Sequence, residues 1–258
     1  METATERIQG NYYLPVTYSE GYYMVSCHNL VCFVGRKISI HNLSTQETII
    51  PPDSGSFFYA GLGYSSLANE YKLVKWFGQK NNGIITMECK IFDLSNRLRF
   101  KSDSWRFTET RPFEDLDLHP VSGNGVIYWL TRNHRDFYQT DSILALDLDK
   151  EESKITSCPK RSPSTKAYLL ELKECLYFAH CWREKAIVKM WRLEDPNNCV
   201  WISEYYINFP SICNSIVPVT SVLAAHVEML VFLSLEGQDL LYYNVDSGTM
   251  RTIDKLWH

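Results

Sequence analysis

One interval recurs along this chain of 258 residues. Alternating apolar runs close on Asn42, Asp93, Asp147, Glu194 and Asn244, which stand 51, 54, 47 and 50 residues apart. Each run is followed by a short polar turn and then a further strand-like stretch. Two more apolar runs precede each closing residue, as FFYAGLGY and EYKLVKWF do before Asp93. A repeat of about 50 residues carrying four strands cannot bury both faces of its sheet alone, so neighbouring copies must stack face to face.

The expected fold class is therefore all-β: a kelch-like β-propeller of five four-stranded antiparallel blades. Asn11 to Tyr18 could close the ring or begin a sixth, incomplete blade. Residues 1–20 are read as an N-terminal tail and residues 21–258 as the propeller domain. Aromatic residues make up 14% of the chain, which suits pleated sheets better than helices. No segment carries a 3.6-residue apolar stripe, and the best helical candidate, Asp115 to Leu118, is too short.

Charge narrows the range of partners. The net charge is −4 and no basic run exceeds Lys160-Arg161. Nucleic acid and anionic membrane surfaces need a concentrated positive footprint, so neither is expected as a partner. No stretch approaches the roughly 18 apolar residues of a membrane span, and the first residues lack an apolar signal core. A reducing cytosol or nucleus is the expected compartment. The eight cysteines, none in a C-x-x-C pair, then read as buried thiols. The Asn42-Leu43-Ser44 sequon is expected to stay unmodified.

The motifs that could carry chemistry have structural explanations. Gly61 and Gly63 suggest a phosphate loop, but such a loop needs a following helix, and EYKLVKW is a strand. Close packing near the propeller axis accounts for them better. Cys27-His28 with Cys32, and His180-Cys181 with Cys175, lack zinc-site spacing; each reads as a buried cysteine beside a partly exposed histidine. Neither G-x-S-x-G nor S-x-x-K occurs in a supporting context. Asp115/Asp117 and Asp147/Asp149 place paired carboxylates on one face of a strand, but spacing alone does not make an acid–base pair. The Asn and Asp residues that close the third strands read as turn formers. No catalytic residue, metal or cofactor is expected.

In order along the chain, several phrases resemble the F-box-associated interaction domain of plant F-box proteins. They include Asn29-Leu-Val-Cys-Phe, Ile38-x-Ile40-x-Asn42-x-Ser44-Thr45, and Gly61-Leu-Gly-Tyr-Ser-Ser with Asn69-Glu-Tyr-Lys-Leu-Val. Ser104-Trp105-Arg106, Gly125-Val-Ile-Tyr-Trp-Leu, Ile143-Leu-Ala-Leu-Asp-Leu, Trp191-Arg-Leu with Trp201, and Leu241-Tyr-Tyr-Asn-Val follow. The S-locus F-box proteins of pollen are similar in the same region. The resemblance implies a propeller that holds a protein substrate for a cullin-type (SCF) ubiquitin ligase, while an F-box docks on the ligase adaptor. No F-box-like helical run precedes residue 21, so adaptor binding is expected only if an F-box is supplied elsewhere.

In such a ring the connections between second and third strands share one face. They are assigned to residues 35–37, 78–83, 131–141, 183–185 and 236–239, and they vary while the strands stay regular. The longest is rich in the arginine and aromatic side chains that anchor interfaces. Arg132, His134, Arg135, Phe137 and Tyr138 on it, with Trp182 and Arg183 on the next blade, are the candidate protein-binding residues. The alternative is a kelch-like propeller enzyme or a carbohydrate-binding propeller, which would gather titratable groups in the central channel.

Overall fold

The structure is a computed structural model. It describes residues 23–253 apart from 36, 54, 56, 58, 82–83, 95–104, 113–114, 132–141, 161–165, 183–184, 210–218, 227–228 and 235–239. The chain forms a five-bladed β-propeller. Blade 1 is β1 (Tyr23–Cys27), β2 (Leu30–Val34), β3 (Ser39–Asn42) and β4 (Thr48–Ile49). Blade 2 is β5 (Tyr59–Ser65), β6 (Glu70–Asn81), β7 (Ile84–Leu94) and β8 (Arg106–Pro112). Blade 3 is β9 (Val121–Gly123), β10 (Val126–Leu130), β11 (Ser142–Asp147) and β12 (Glu152–Ser157). Blade 4 is β13 (Lys166–Leu172), β14 (Cys175–Trp182), β15 (Ile187–Asp195) and β16 (Val200–Asn208). Blade 5 is β17 (Val219–His226), β18 (Met229–Ser234), β19 (Leu240–Asn244) and β20 (Met250–Ile253).

Every sheet is antiparallel, and each takes four consecutive strands in chain order. The connections between first and second strands, and between third and fourth, emerge on one face of the ring, here called the turn face. Those between second and third strands, and between blades, emerge on the other, the loop face. Asn11 to Tyr18, expected to close the ring or begin a sixth blade, lies outside the described residues.

The cores lie between blades. One packs blade 1 on blade 2 through Val25, Ile40, Leu73 and Phe92. A second packs blade 2 on blade 3 through Trp76, Ile91, Ile127 and Trp129. Two more join blade 3 to 4 through Ile143 and Phe178, and blade 4 to 5 through Met190 and Leu230. Both faces of an inner strand are thus buried, each against a different neighbour. On β7, Met87, Cys89 and Ile91 face blade 3 while Phe92 and Leu94 face blade 1. From Ile91 to Leu94 both faces are buried, and there alternation fails, whereas Glu88 and Lys90 before it are half-buried and still alternate with Met87 and Cys89.

The reading of Gly61 and Gly63 as packing glycines holds. A Cβ on Gly61 would stand 2.6 Å from Cζ2 of Trp129, and one on Gly63 would stand 2.5 Å from Cδ1 of Leu148. The absence of a side chain lets blade 3 close on β5, and burying Trp129 there contributes about 3 kcal/mol.

The structure corrects the extent of one connection. Residues 78–81, assigned to a loop, continue β6, and Gly78 pairs with Met87 while Asn81 pairs with Ile84. Backbone pairing holds these polar residues as strand. Asp115–Leu118 forms no helix; Leu116 instead bridges to Thr131.

Candidate functional site

Of the seven residues expected to bind protein, Arg132, His134, Arg135, Phe137, Tyr138 and Arg183 lie outside the described residues. Trp182 is described, and it belongs to an aromatic array. Phe178, His180 and Trp182 alternate along β14, so strand periodicity points all three to the same side, toward blade 3. Trp191 on β15 and Trp201 on β16 join them from the same sheet face. His180 lies 4.7 Å from Phe178, 4.8 Å from Trp191 and 5.8 Å from Trp182, ring centre to ring centre, each edge-on. Phe178 also approaches Trp201 at 6.0 Å. Such edge-on pairs add about 0.5–1.5 kcal/mol beyond the area they bury.

The array grades from dry to wet. Phe178 and His180 are buried, whereas Trp182, Trp191 and Trp201 are half-buried. The Trp201 Nε1–H donates to the carbonyl of Ser157 at 2.9 Å, tying the rim of blade 4 to blade 3. Lys189 holds its ammonium 4.8 Å above the Trp191 ring. Tyr206 pairs with Lys189 across the sheet and is 63% exposed. Lys185, at the loop-face end of the same blade, is exposed. The result is an aromatic flank edged by ammonium groups.

His180 departs from the expected partly exposed histidine, since it is 1% exposed among aromatic rings. Lys189, Trp191 and Tyr206 were missed as site residues. The available signal was the two-residue period of Phe178-His180-Trp182 continued by Lys189-Trp191, five side chains of one sheet face.

The turn face is a set of structural fastenings. Asn42 Oδ1 accepts from the amides of Ser44 and Thr45 at 2.9 and 3.2 Å. Asp147 Oδ1 accepts likewise from Asp149 and Lys150, and Asn244 Oδ1 from Asp246 and Ser247. In blade 4 the equivalent residue is Asp195, which accepts from Asn197 and Asn198, and not Glu194. The glutamate side chain is one methylene too long for this local turn, and Glu194 instead pairs with Arg192. The corrected intervals are 51, 54, 48 and 49 residues.

Blade 2 is fastened to blade 3 by charge. Lys72, 4% exposed, donates to the Leu148 carbonyl and to Glu151 Oε1, both at 2.7 Å. Arg106 spans Asp93 and Glu151 with hydrogen bonds of 2.8–3.0 Å. Arg106 and Lys72 together hold the Glu151 carboxyl down at about 2. Asp149 accepts from Ser65 Oγ and from the Leu67 amide. Ser65 and Lys72 both sit in the phrase that carries the family resemblance, so that phrase serves the seam between these blades.

Near the ring centre, Ser122 Oγ of β9 lies 3.9 Å from Cys27 Sγ of β1, and Tyr23 packs edge-on against His119. Burial pushes the Cys27 thiol up to about 11 and the Cys32 and Cys89 thiols up to about 12, so all three stay protonated at neutral pH. Among the described residues no three His, Cys, Asp or Glu side chains group as metal ligands.

Fold and site together define a β-propeller whose described aromatic flank opens to solvent on blade 4. The sequence matches the F-box associated beta propeller domain over residues 3–255. The chain belongs to that family. It is also 31% identical over 134 residues to a putative F-box protein of Arabidopsis thaliana, a match covering 49% of this chain and 34% of the relative. Among solved structures, a variant of the Synechocystis apocarotenoid oxygenase superposes with a TM-score of 0.54 at 9% identity, over 90% of this chain and 58% of that one. A chain of a nidogen/laminin complex superposes with a TM-score of 0.52 at 11% identity, over 90% and 79%. At such identities these two likenesses bear on the fold alone.

Proposed function

We propose that this chain is a non-catalytic interaction module that holds a protein substrate for a cullin-type ubiquitin ligase, in the cytosol or nucleus. The observation that carries the reading is the half-buried row Trp182, Trp191 and Trp201, with Tyr206 exposed beside it. Tryptophan and tyrosine on a rigid sheet lose little side-chain entropy on binding and supply most of the energy at protein interfaces. Family membership supports the same role. An F-box on the same polypeptide, or on a partner, would connect the module to the ligase adaptor.

The enzyme reading asks for reactive groups converging in the ring. The groups described there are a protonated thiol beside a serine hydroxyl and near the Glu171 carboxylate, and a tyrosine packed on a histidine.

The test is affinity capture from plant extract with the wild-type chain and with the Trp182→Ala/Tyr206→Ala variant, the captured proteins being compared by mass spectrometry. Loss of a defined subset in the variant, with folding unchanged by circular dichroism, is the expected result. An identical set of captured proteins would overturn the assignment of this surface.

A further inference from the structure

Resting on that reading, we propose that the blade 4 flank recognises an acidic, aromatic-containing segment of its partner protein. Among the described residues, lysines edge the flank. On the side of blade 4 that faces blade 3, Lys189 stands over Trp191, and exposed Lys185 lies at the loop-face end of the blade. Lys160 is exposed on the stretch that leaves β12, two residues beyond Cys158 in the same core. Three described carboxylates of this blade are drawn elsewhere. Glu204 and Glu194 pair with Arg192, and Glu171 accepts from the Glu174 amide in a first-to-second-strand turn on the turn face.

The placement of Lys189 decides the class of ligand. An ammonium over an indole ring already gains about 0.5–1 kcal/mol from the ring quadrupole. It keeps its outward N–H donors for an incoming carboxylate, so one residue presents both an apolar wall and a positive charge. Tyr206, paired with it across the strand, extends the wall into solvent. A partner complementary to this surface alternates carboxylates, which meet Lys185 and Lys189, with rings that pack on Trp182 and Tyr206. Like charges on a partner would be repelled, so the lysines also set specificity.

The test uses the full chain and two random copolymers of defined composition, poly(Glu,Tyr) and poly(Lys,Tyr), followed by tryptophan fluorescence and by sedimentation. Binding of poly(Glu,Tyr) alone is expected, weakening as salt rises. Lys185→Glu and Lys189→Gln should each reduce that binding at least 5-fold, and Lys150→Glu, the same charge change on the turn face, less than 2-fold. Equal binding by wild type and Lys185→Glu, or an equal loss in Lys150→Glu, would overturn the acidic class. The captures from plant extract separate the two levels. A partner lost on Trp182→Ala/Tyr206→Ala but kept by Lys185→Glu removes the acidic specificity and leaves the surface. A partner kept by all variants removes both.

Discussion

Lys72 of blade 2 and Glu151 of blade 3 meet at 2.7 Å across the seam between two sheets, the lysine side chain 5% exposed and the glutamate 21%. Lys72, withdrawn from water, depends on Glu151 as its counter-charge, whereas Glu151 is also bonded to Arg106. The two lie 79 positions apart in sequence.

Lys72→Met should therefore destabilise the fold by about 2–4 kcal/mol, since the Leu148 carbonyl and Glu151 lose a shared donor. Glu151→Gln should cost a similar amount, because it leaves the buried Lys72 without its counter-charge and turns an amide N–H toward one of the Arg106 donors. The double variant should cost less than the sum of the singles. Urea unfolding of the four proteins measures the coupling.

Acid should weaken the same seam. Glu151 titrates at about 2 in the fold against an ordinary 4.5, chiefly through its bonds to Arg106 and also to Lys72. Its stabilising contribution is then complete above pH 4.5 and is lost as pH falls through the window down to about 2. Partial exposure limits the effect to about 1–2 kcal/mol. Melting temperature followed across that range should fall more steeply for wild type than for Glu151→Gln.

Gly61→Ala and Gly63→Ala should both be damaging. The added methyl of the first meets the rigid indole of Trp129, 0% exposed, at 2.6 Å, while that of the second meets Leu148 Cδ1 at 2.5 Å and both Ile127 Cγ1 and Ser122 Oγ at 2.9 Å. A cost of about 2–3 kcal/mol is expected for Gly61→Ala. Trp129→Phe, which removes the clashing atom, should recover part of it in the double variant, as thermal unfolding would show.

The capped turns should prove quantitatively alike. Replacement of Asn42, Asp147, Asp195 or Asn244 by Ala should cost about 1 kcal/mol each, the value of freeing two turn amides from one side-chain oxygen. Glu194→Ala, next to the blade 4 cap, should cost clearly less. Chemical denaturation of the five variants distinguishes Asp195 from Glu194 as the residue in register.

The period was legible in the sequence because the turn residues repeat for a local reason. An Asn or Asp oxygen reaches amides two and three residues on, and this needs no knowledge of the rest of the fold. Gly61 and Gly63 were legible as packing glycines because a following strand excluded the phosphate loop. The blade 4 turn was misassigned by one residue because Glu194 and Asp195 are adjacent acids, and only bond geometry separates them. The hairpin at residues 78–81 was taken for a loop because polarity was equated with irregularity. The seam of Lys72, Arg106, Asp93 and Glu151 was invisible, since no local rule connects positions so far apart. For the candidate site, Trp182 was named from the sequence only as an aromatic beside a connection. Its array was not, because a sheet buried on both faces hides which neighbour each side chain meets.

Each blade draws its four strands from one unbroken stretch of the chain, so no sheet waits for a distant segment to be completed. On the ribosome, the hydrogen bonding of blade 1 can be finished before blade 2 has left the exit tunnel, and so on in turn. Each emerging sheet finds the previous one ready as a template for its apolar face. Pairing within a sheet is local and fast to form, and only the side-chain seams between blades require longer loops to close. Assembly can then proceed in the direction of synthesis, one blade at a time.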